Sequence, residues 1–153
     1  MTGKSKGVWA CLVICLFLSG CQASGPKPLY DRLGGDMMMS AIVDDFVDRA
    51  CGDPRVNFTR KGTSHEWIPT PDSVDVLKTH LVEYFTMLSG GSHDYEGKDM
   101  RTAHAGMEIS NAEFDAIKDD LRRSLEKYDE PPAETDELLT LVESTRKDIV
   151  EVK

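Results

Sequence analysis

The chain has 153 residues, 40% of them apolar and 7% aromatic, which suits a single domain with a real hydrophobic core. Acidic side chains number 27 against 18 basic ones, a net charge of −9. That balance argues against nucleic acid as a partner, because a phosphate backbone is drawn to basic surfaces and repelled by this one.

Lys4 and Lys6 precede an apolar run from Val8 to Leu18, too short to span a bilayer comfortably, and the run ends in Leu18-Ser19-Gly20-Cys21. A basic head, an apolar centre and a small-residue end describe a secretory signal over residues 1–20. The L-S-G-C ending resembles the bacterial lipobox, which implies that Cys21 becomes the lipidated first residue of an exported chain. Residues 21–28 then form a lipidated tether holding the protein on a cell-envelope membrane, facing the periplasm. Losing Lys4 and Lys6 deepens the negative charge by two, so the anchor would be acyl chains and not a basic patch. With Cys11 and Cys15 removed and Cys21 lipidated, Cys51 stands alone. No internal disulfide is then available, and Cys51 is read as a small buried hydrophobe at the end of an apolar-periodic stretch.

Helical signals follow over residues 29–153. Asp36 is placed to cap a helix in which Ile42, Val43, Phe46, Val47 and Ala50 recur at helical spacing, ended by Gly52-Asp53-Pro54. Val56 to Pro71 has no period and carries Gly62, Pro69, Phe58 and Trp67. A loop that long in a compact domain is expected to cover something. Pro71-Asp72-Ser73 opens a second helix with Val74, Leu77, Leu81, Tyr84 or Phe85, and Leu88 on one face, stopped at Gly90-Gly91. Gly97 to Met107 is weakly helical. Ser110-Asn111-Ala112-Glu113 is a capping box ahead of Phe114, Ile117, Leu121 and Leu125. After Pro131-Pro132, the residues Leu138, Leu141, Val142, Thr145 and Ile149 predict one last amphipathic helix. The expected class is all-α.

Four stretches carry a resemblance: L-Y-D-R-L-G-G (Leu29 to Gly35), V-D-D-F-V-D-R (Val43 to Arg49), L-S-G-G-S-H-D-Y-E-G-K-D-M (Leu88 to Met100) and R-T-A-H-A-G-M-E-I (Arg101 to Ile109). In order and spacing they resemble the group I truncated haemoglobins. The likeness implies a two-over-two helical sandwich with haem (iron protoporphyrin IX) between the second long helix and the His104 segment. His104 falls on the family's proximal position, where a neutral imidazole nitrogen binds iron while Ala103, Ala105 and Gly106 leave room for a flat macrocycle. Its other ring nitrogen is expected to donate to a backbone carbonyl. Phe46, Val47, Phe58, Leu77, Leu81, Phe85, Met100, Met107, Ile109 and Phe114 are expected to line the slot, and Lys78 and Arg101 to pair with the haem propionates.

The distal side departs from the family pattern. Many members place a Tyr on the first long helix and Gln residues on the second, where this chain has Val47, Leu77 and Leu81. Direct hydrogen-bond donors to a bound gas are therefore absent from those positions. His80, one residue before Leu81, stands where some cyanobacterial relatives carry a histidine that closes onto the iron, so it is a candidate distal ligand. Trp67, in the long loop, is expected to fold over the haem edge. His65 and His93 read as surface residues. The leading expectation is reversible binding of oxygen or nitric oxide, more a binding role than an enzyme's. The alternatives are a bis-histidyl electron-transfer globin, an NO-detoxifying globin with an unidentified redox partner, and a haem-free helical lipoprotein.

Overall fold

Two capping boxes fix where the helices that build the site begin. The Thr70 hydroxyl accepts from the Ser73 amide at 3.2 Å while Ser73 Oγ accepts from the Thr70 amide at 2.9 Å. Ser110 and Glu113 make the same reciprocal pair at 3.2 and 2.9 Å. Each box satisfies amides that a helix start leaves without partners. The computed structural model describes residues 25–152. The signal segment and the first half of the tether, Cys21 included, lie outside the described residues.

In chain order the helices are α1 (Leu29–Arg32), α2 (Gly35–Gly52), α3 (Pro71–Leu88), α4 (Met100–His104), α5 (Asn111–Lys127), α6 (Pro132–Glu143) and α7 (Arg146–Ile149). Among the described residues no strand forms; the chain end contributes one isolated parallel bridge, Ser110 with Val152. The long helices pack as two pairs, α2 against α3 and α5 against α6, joined by the α2–α5 contact, and α4 leans on α7. This is the two-over-two helical sandwich. No helix of the described residues is long and apolar enough to cross a membrane.

The core lies where α2, α5 and α6 meet. Met39, Ile42, Val43 and Ala50 of α2 are fully buried with Leu125 and Leu138, each large side chain contributing about 1.5–3 kcal/mol by leaving water. The polar side of the α2–α5 seam is closed by Asp45, which accepts from Arg49, Lys127 and Ser124. Gly91 follows α3 where the chain turns back under α1. A Cβ there would fall 2.9 Å from Tyr30 Cγ and still closer to the Thr86 side chain, so only glycine allows this approach.

Three expectations change. Asp36 lies in the first turn of α2 behind an N-cap at Gly34, and accepts from the Tyr30 hydroxyl at 2.7 Å, because the G-G turn lets the helix start two residues earlier. The final helix is broken at Ser144-Thr145, where Thr145 turns its hydroxyl back to the Val142 carbonyl at 2.7 Å and α7 begins. Cys51 is exposed: it follows Ala50 around the helix, off the buried stripe.

Candidate functional site

The apolar face of α3 supplies only Phe85 and Thr86 to the fully buried set, although Val74, Leu77, Leu81 and Leu88 repeat at core spacing. Leu77, Leu81, Tyr84 and Phe85 instead face a cavity of about 820 Å³ between α3, α4 and α5. Its other walls are Phe46 from α2, Met100 and His104 from α4, Met107 and Ile109 from the following turn, and Phe114, Ile117 and Leu121 from α5. Val142, Thr145 and Ile149 close the end near α7, and the long loop brings Val56, Phe58, Arg60, His65 and Trp67.

His104 ends α4 and is half-buried. Its Nδ1 lies 2.8 Å from the Met100 carbonyl oxygen, one turn back. A carbonyl only accepts, so Nδ1 carries the proton and Nε2 is the basic nitrogen. His80 reaches the same cavity from α3, with Nδ1 held at 3.2 Å by Glu83 and its ring edge-on to Tyr95 at 6.2 Å. These two imidazoles border one apolar space, each tied through Nδ1, and His65 is a third on its wall.

The long loop holds the turn after His104 at two points. Gly106 has φ +77°, and a Cβ there would fall 2.7 Å from His65 Cε1, so the loop imidazole rests on the glycine. Glu108 adopts φ +55°. Its carbonyl lies 3.5 Å from Nη2 of Arg60, itself in the left-handed region at φ +51°. Such conformations cost about 1–2 kcal/mol each in non-glycine residues and persist only where contacts over-determine them. Arg60 is buried and bonds Glu113 at 2.6 Å, tying the loop to the α5 capping box. Burial opposes ionisation of Glu113, but bonds from Ser110 and Arg60 outweigh it and lower its pKa.

Of the residues the sequence placed on the slot, Phe46, Phe58, Leu77, Leu81, Phe85, Met100, Met107, Ile109 and Phe114 do line the cavity, together with both histidines. Three do not. Val47 is buried in the core cluster, where its side chain is used up in packing, and is absent from the cavity wall. Lys78 turns toward α2, pairing with Asp44 at 3.1 Å, because acids one helix away are nearer than the cavity. Arg101 is exposed and bonds Asp148 of α7 at 2.6 Å. The cationic side chains on the cavity wall are Arg60, Lys98 and Lys118. His65, read as a surface residue, is exposed yet also lines the wall, while His93 is exposed beside Asp36. Trp67 packs on Phe58 with ring centroids 6.1 Å apart. Ile117 and Leu121 were legible as continuations of the Phe114 face; nothing in the aperiodic loop marked Arg60.

A family model for bacterial-like globins matches residues 28–151. The chain belongs to that family. It is 34% identical over 125 residues to a protein from Tetrahymena pyriformis described as a "Group 1 truncated hemoglobin", covering 82% of this chain and 96% of the relative. A crystal structure of the truncated hemoglobin from that organism, in its Fe(III) form, superposes with a TM-score of 0.70 at 33% identity, covering 81% of this chain and 98% of that one. The cyanomet 2/2 hemoglobin of a Synechococcus species, with covalently attached heme, gives a TM-score of 0.69 at 26% identity and the same coverage.

The cofactor of this truncated globin is haem, and the cavity's chemistry fits it. The wall is almost wholly apolar, the Met100 bond to Nδ1 leaves Nε2 of His104 as the free ring nitrogen, and Arg60 keeps a buried Nε without a partner. An amphiphilic ring with carboxylate arms and a metal centre answers all three features.

Proposed function

We propose that this truncated globin binds oxygen or nitric oxide reversibly at a haem held by His104, while anchored by a lipidated Cys21 to a bacterial envelope membrane, facing the periplasm. The supporting observation is the His104 geometry. Met100 fixes the imidazole tautomer, so in the neutral ring the nitrogen left to the cavity is the one with a lone pair. When bound, haem supplies an iron centre with one coordination position for a diatomic gas. The chain's own residues do the rest. Leu77, Leu81, Phe46 and Phe85 would exclude water and so disfavour oxidation of the metal, and Trp67 packed on Phe58 adds the loop's share of the wall. Arg60 and Lys98 are the cations placed to meet carboxylate arms. Location rests on the Lys4 to Cys21 pattern and an acidic surface, which leaves lipid as the means of attachment.

His80 supports a second reading, two-histidine ligation serving electron transfer with a redox partner. Its Nδ1 is bonded to Glu83, which makes Nε2 the more basic nitrogen, and it borders the cavity that His104 faces. Absorption spectra of the ferric and ferrous parent, His80→Ala and His104→Ala test both readings. Loss of the Soret band in His104→Ala supports the proximal role, and full pigment retention there overturns it. A low-spin six-coordinate spectrum lost in His80→Ala establishes the second reading; identical five-coordinate or water-bound spectra in both remove it. Anchoring is tested by Cys21→Ser, which should release the protein from membranes.

A further inference from the structure

We propose that Glu151, at the chain's end, is a positioning residue for the proximal histidine. The inference rests on the assignment of His104 as the iron's ligand. After His104 the backbone passes through two left-handed residues, Gly106 at φ +77° and Glu108 at φ +55°, and their amides converge on one point. Glu151 fills that point with a carboxylate. Its Oε1 accepts from the Gly106 amide at 2.8 Å and its Oε2 from the Glu108 amide at 2.7 Å. Amides gathered this way form an anion nest, and here the anion is supplied by the protein itself.

The clamp is reinforced along its own backbone. The amides of Glu151 and Val152 donate to the Ile109 carbonyl at 2.9 and 3.1 Å, and Val152 bridges to Ser110. So the carboxylate is not a dangling surface group: its main chain is stitched to the strip that follows the turn. The two amide bonds hold the Glu151 carboxyl below its ordinary range against an opposing effect of burial, and the charged forms of His65 and His104 would lower it further, so both imidazoles lie within electrostatic reach of it.

Two consequences follow for His104. Mechanically, α4 is a five-residue helix with no fully buried side chain, so it has little packing of its own to fix the imidazole. Met100 orients the ring, His65 and Arg60 touch the turn, and Glu151 alone bonds two of its amides with charge-assisted strength. Electrostatically, the carboxylate is held on the turn that follows the imidazole, so a metal bound at His104 would sit within reach of its charge. Without the clamp, the strained turn would relax and the ring would sample more than one orientation.

The test uses the full chain loaded with haem, as parent, Glu151→Gln and Glu151→Ala. Expected for Glu151→Ala is haem transfer to an acceptor apoglobin about tenfold faster, with an iron–histidine stretching band in the ferrous form that moves to lower frequency and broadens. Glu151→Gln keeps one carbonyl acceptor and no charge, so it should narrow the band again without restoring its frequency. An unshifted, unbroadened band in both variants overturns the proposal, even if melting temperature falls. Where Glu151→Ala does not fold, the parent's Gly106 and Glu108 amide resonances decide instead. They should both follow one carboxylate titration below the ordinary glutamate range, and amides indifferent to acid refute the clamp. A parent that takes up no haem refutes the ligand assignment, whereas a pigmented parent with silent variants refutes only this one.

Discussion

Replacing Asp45 by Asn removes the charge at the polar knot between α2 and α5 while leaving its shape. Burial opposes ionisation there, yet bonds from Lys127, Arg49 and Ser124 hold the carboxyl down at about 2 against an ordinary 3.8. A group depressed on folding stabilises the native state above its unfolded pKa and loses that contribution as pH falls through the folded one. The stabilisation should therefore be complete near neutrality and fade between pH 4 and pH 2. A displacement of that size is worth roughly 2 kcal/mol, trimmed to about 1–2 kcal/mol because Lys127 is half exposed and solvent screens its charge. Urea unfolding at pH 7 should show Asp45→Asn less stable than the parent by that amount, with a midpoint about 1 M lower. Asp53 and Glu143 are also held at about 2, so the parent's own acid curve mixes several groups. The difference between parent and variant isolates Asp45. A gap that is the same at pH 7 and pH 2.5 would mean the knot acts by shape alone, and the electrostatic argument would fail.

Gly106→Ala should cost about 1–2 kcal/mol from its left-handed φ, plus displacement of His65; adding His65→Ala should recover only the second part in thermal melts. Arg60→Met should lose about 2–3 kcal/mol in denaturant unfolding by stranding Glu113, and the Arg60→Met, Glu113→Gln pair should regain part of it. Trp67→Ala removes the partner of Phe58 on the cavity wall, so gas rebinding after flash photolysis should gain a faster escape phase. An unchanged haem spectrum with unchanged rebinding would dismiss Trp67 as a cover.

Long amphipathic helices were legible because their apolar spacing and their caps agree. Thr70 with Ser73 and Ser110 with Glu113 start α3 and α5 within a residue of the expected places. The periodicity that identified α3 could not say that Leu77 and Leu81 face a cavity and not a core, since either environment selects the same side chains. Charged residues were least legible. Lys78 and Arg101 sit in helices beside the site, but where a long side chain points depends on which acids lie across the packing interface, here Asp44 and Asp148. Arg60 escaped notice because its position depends on a left-handed backbone and a partner more than fifty residues away, neither of which leaves a periodic trace. The broken last helix shows the same limit: Val142, Thr145 and Ile149 keep their spacing across a break that the Thr145 hydroxyl helps to make.

The choice between gas ligands turns on what the cavity wall can donate. Leu77, Leu81, Phe46 and Phe85 offer no hydrogen bond, which leaves His80 and Tyr84 as the polar side chains that α3 brings to the wall. Oxygen gains partial negative charge on binding to ferrous haem, whereas carbon monoxide gains little, so a missing donor penalises oxygen selectively. One hydrogen bond in a dry pocket is worth about 1–3 kcal/mol, a factor of roughly ten to a hundred in affinity. Leu77→Gln places an amide donor at nearly constant volume on a side chain already facing the cavity. Oxygen affinity should rise by about that factor, mostly through slower dissociation, while carbon monoxide affinity moves by less than about threefold. Stopped-flow dissociation of both gases reads the two effects on one sample. Parallel changes for oxygen and carbon monoxide would show that access controls binding. A rise in neither would show that His80 or another group already supplies the donor.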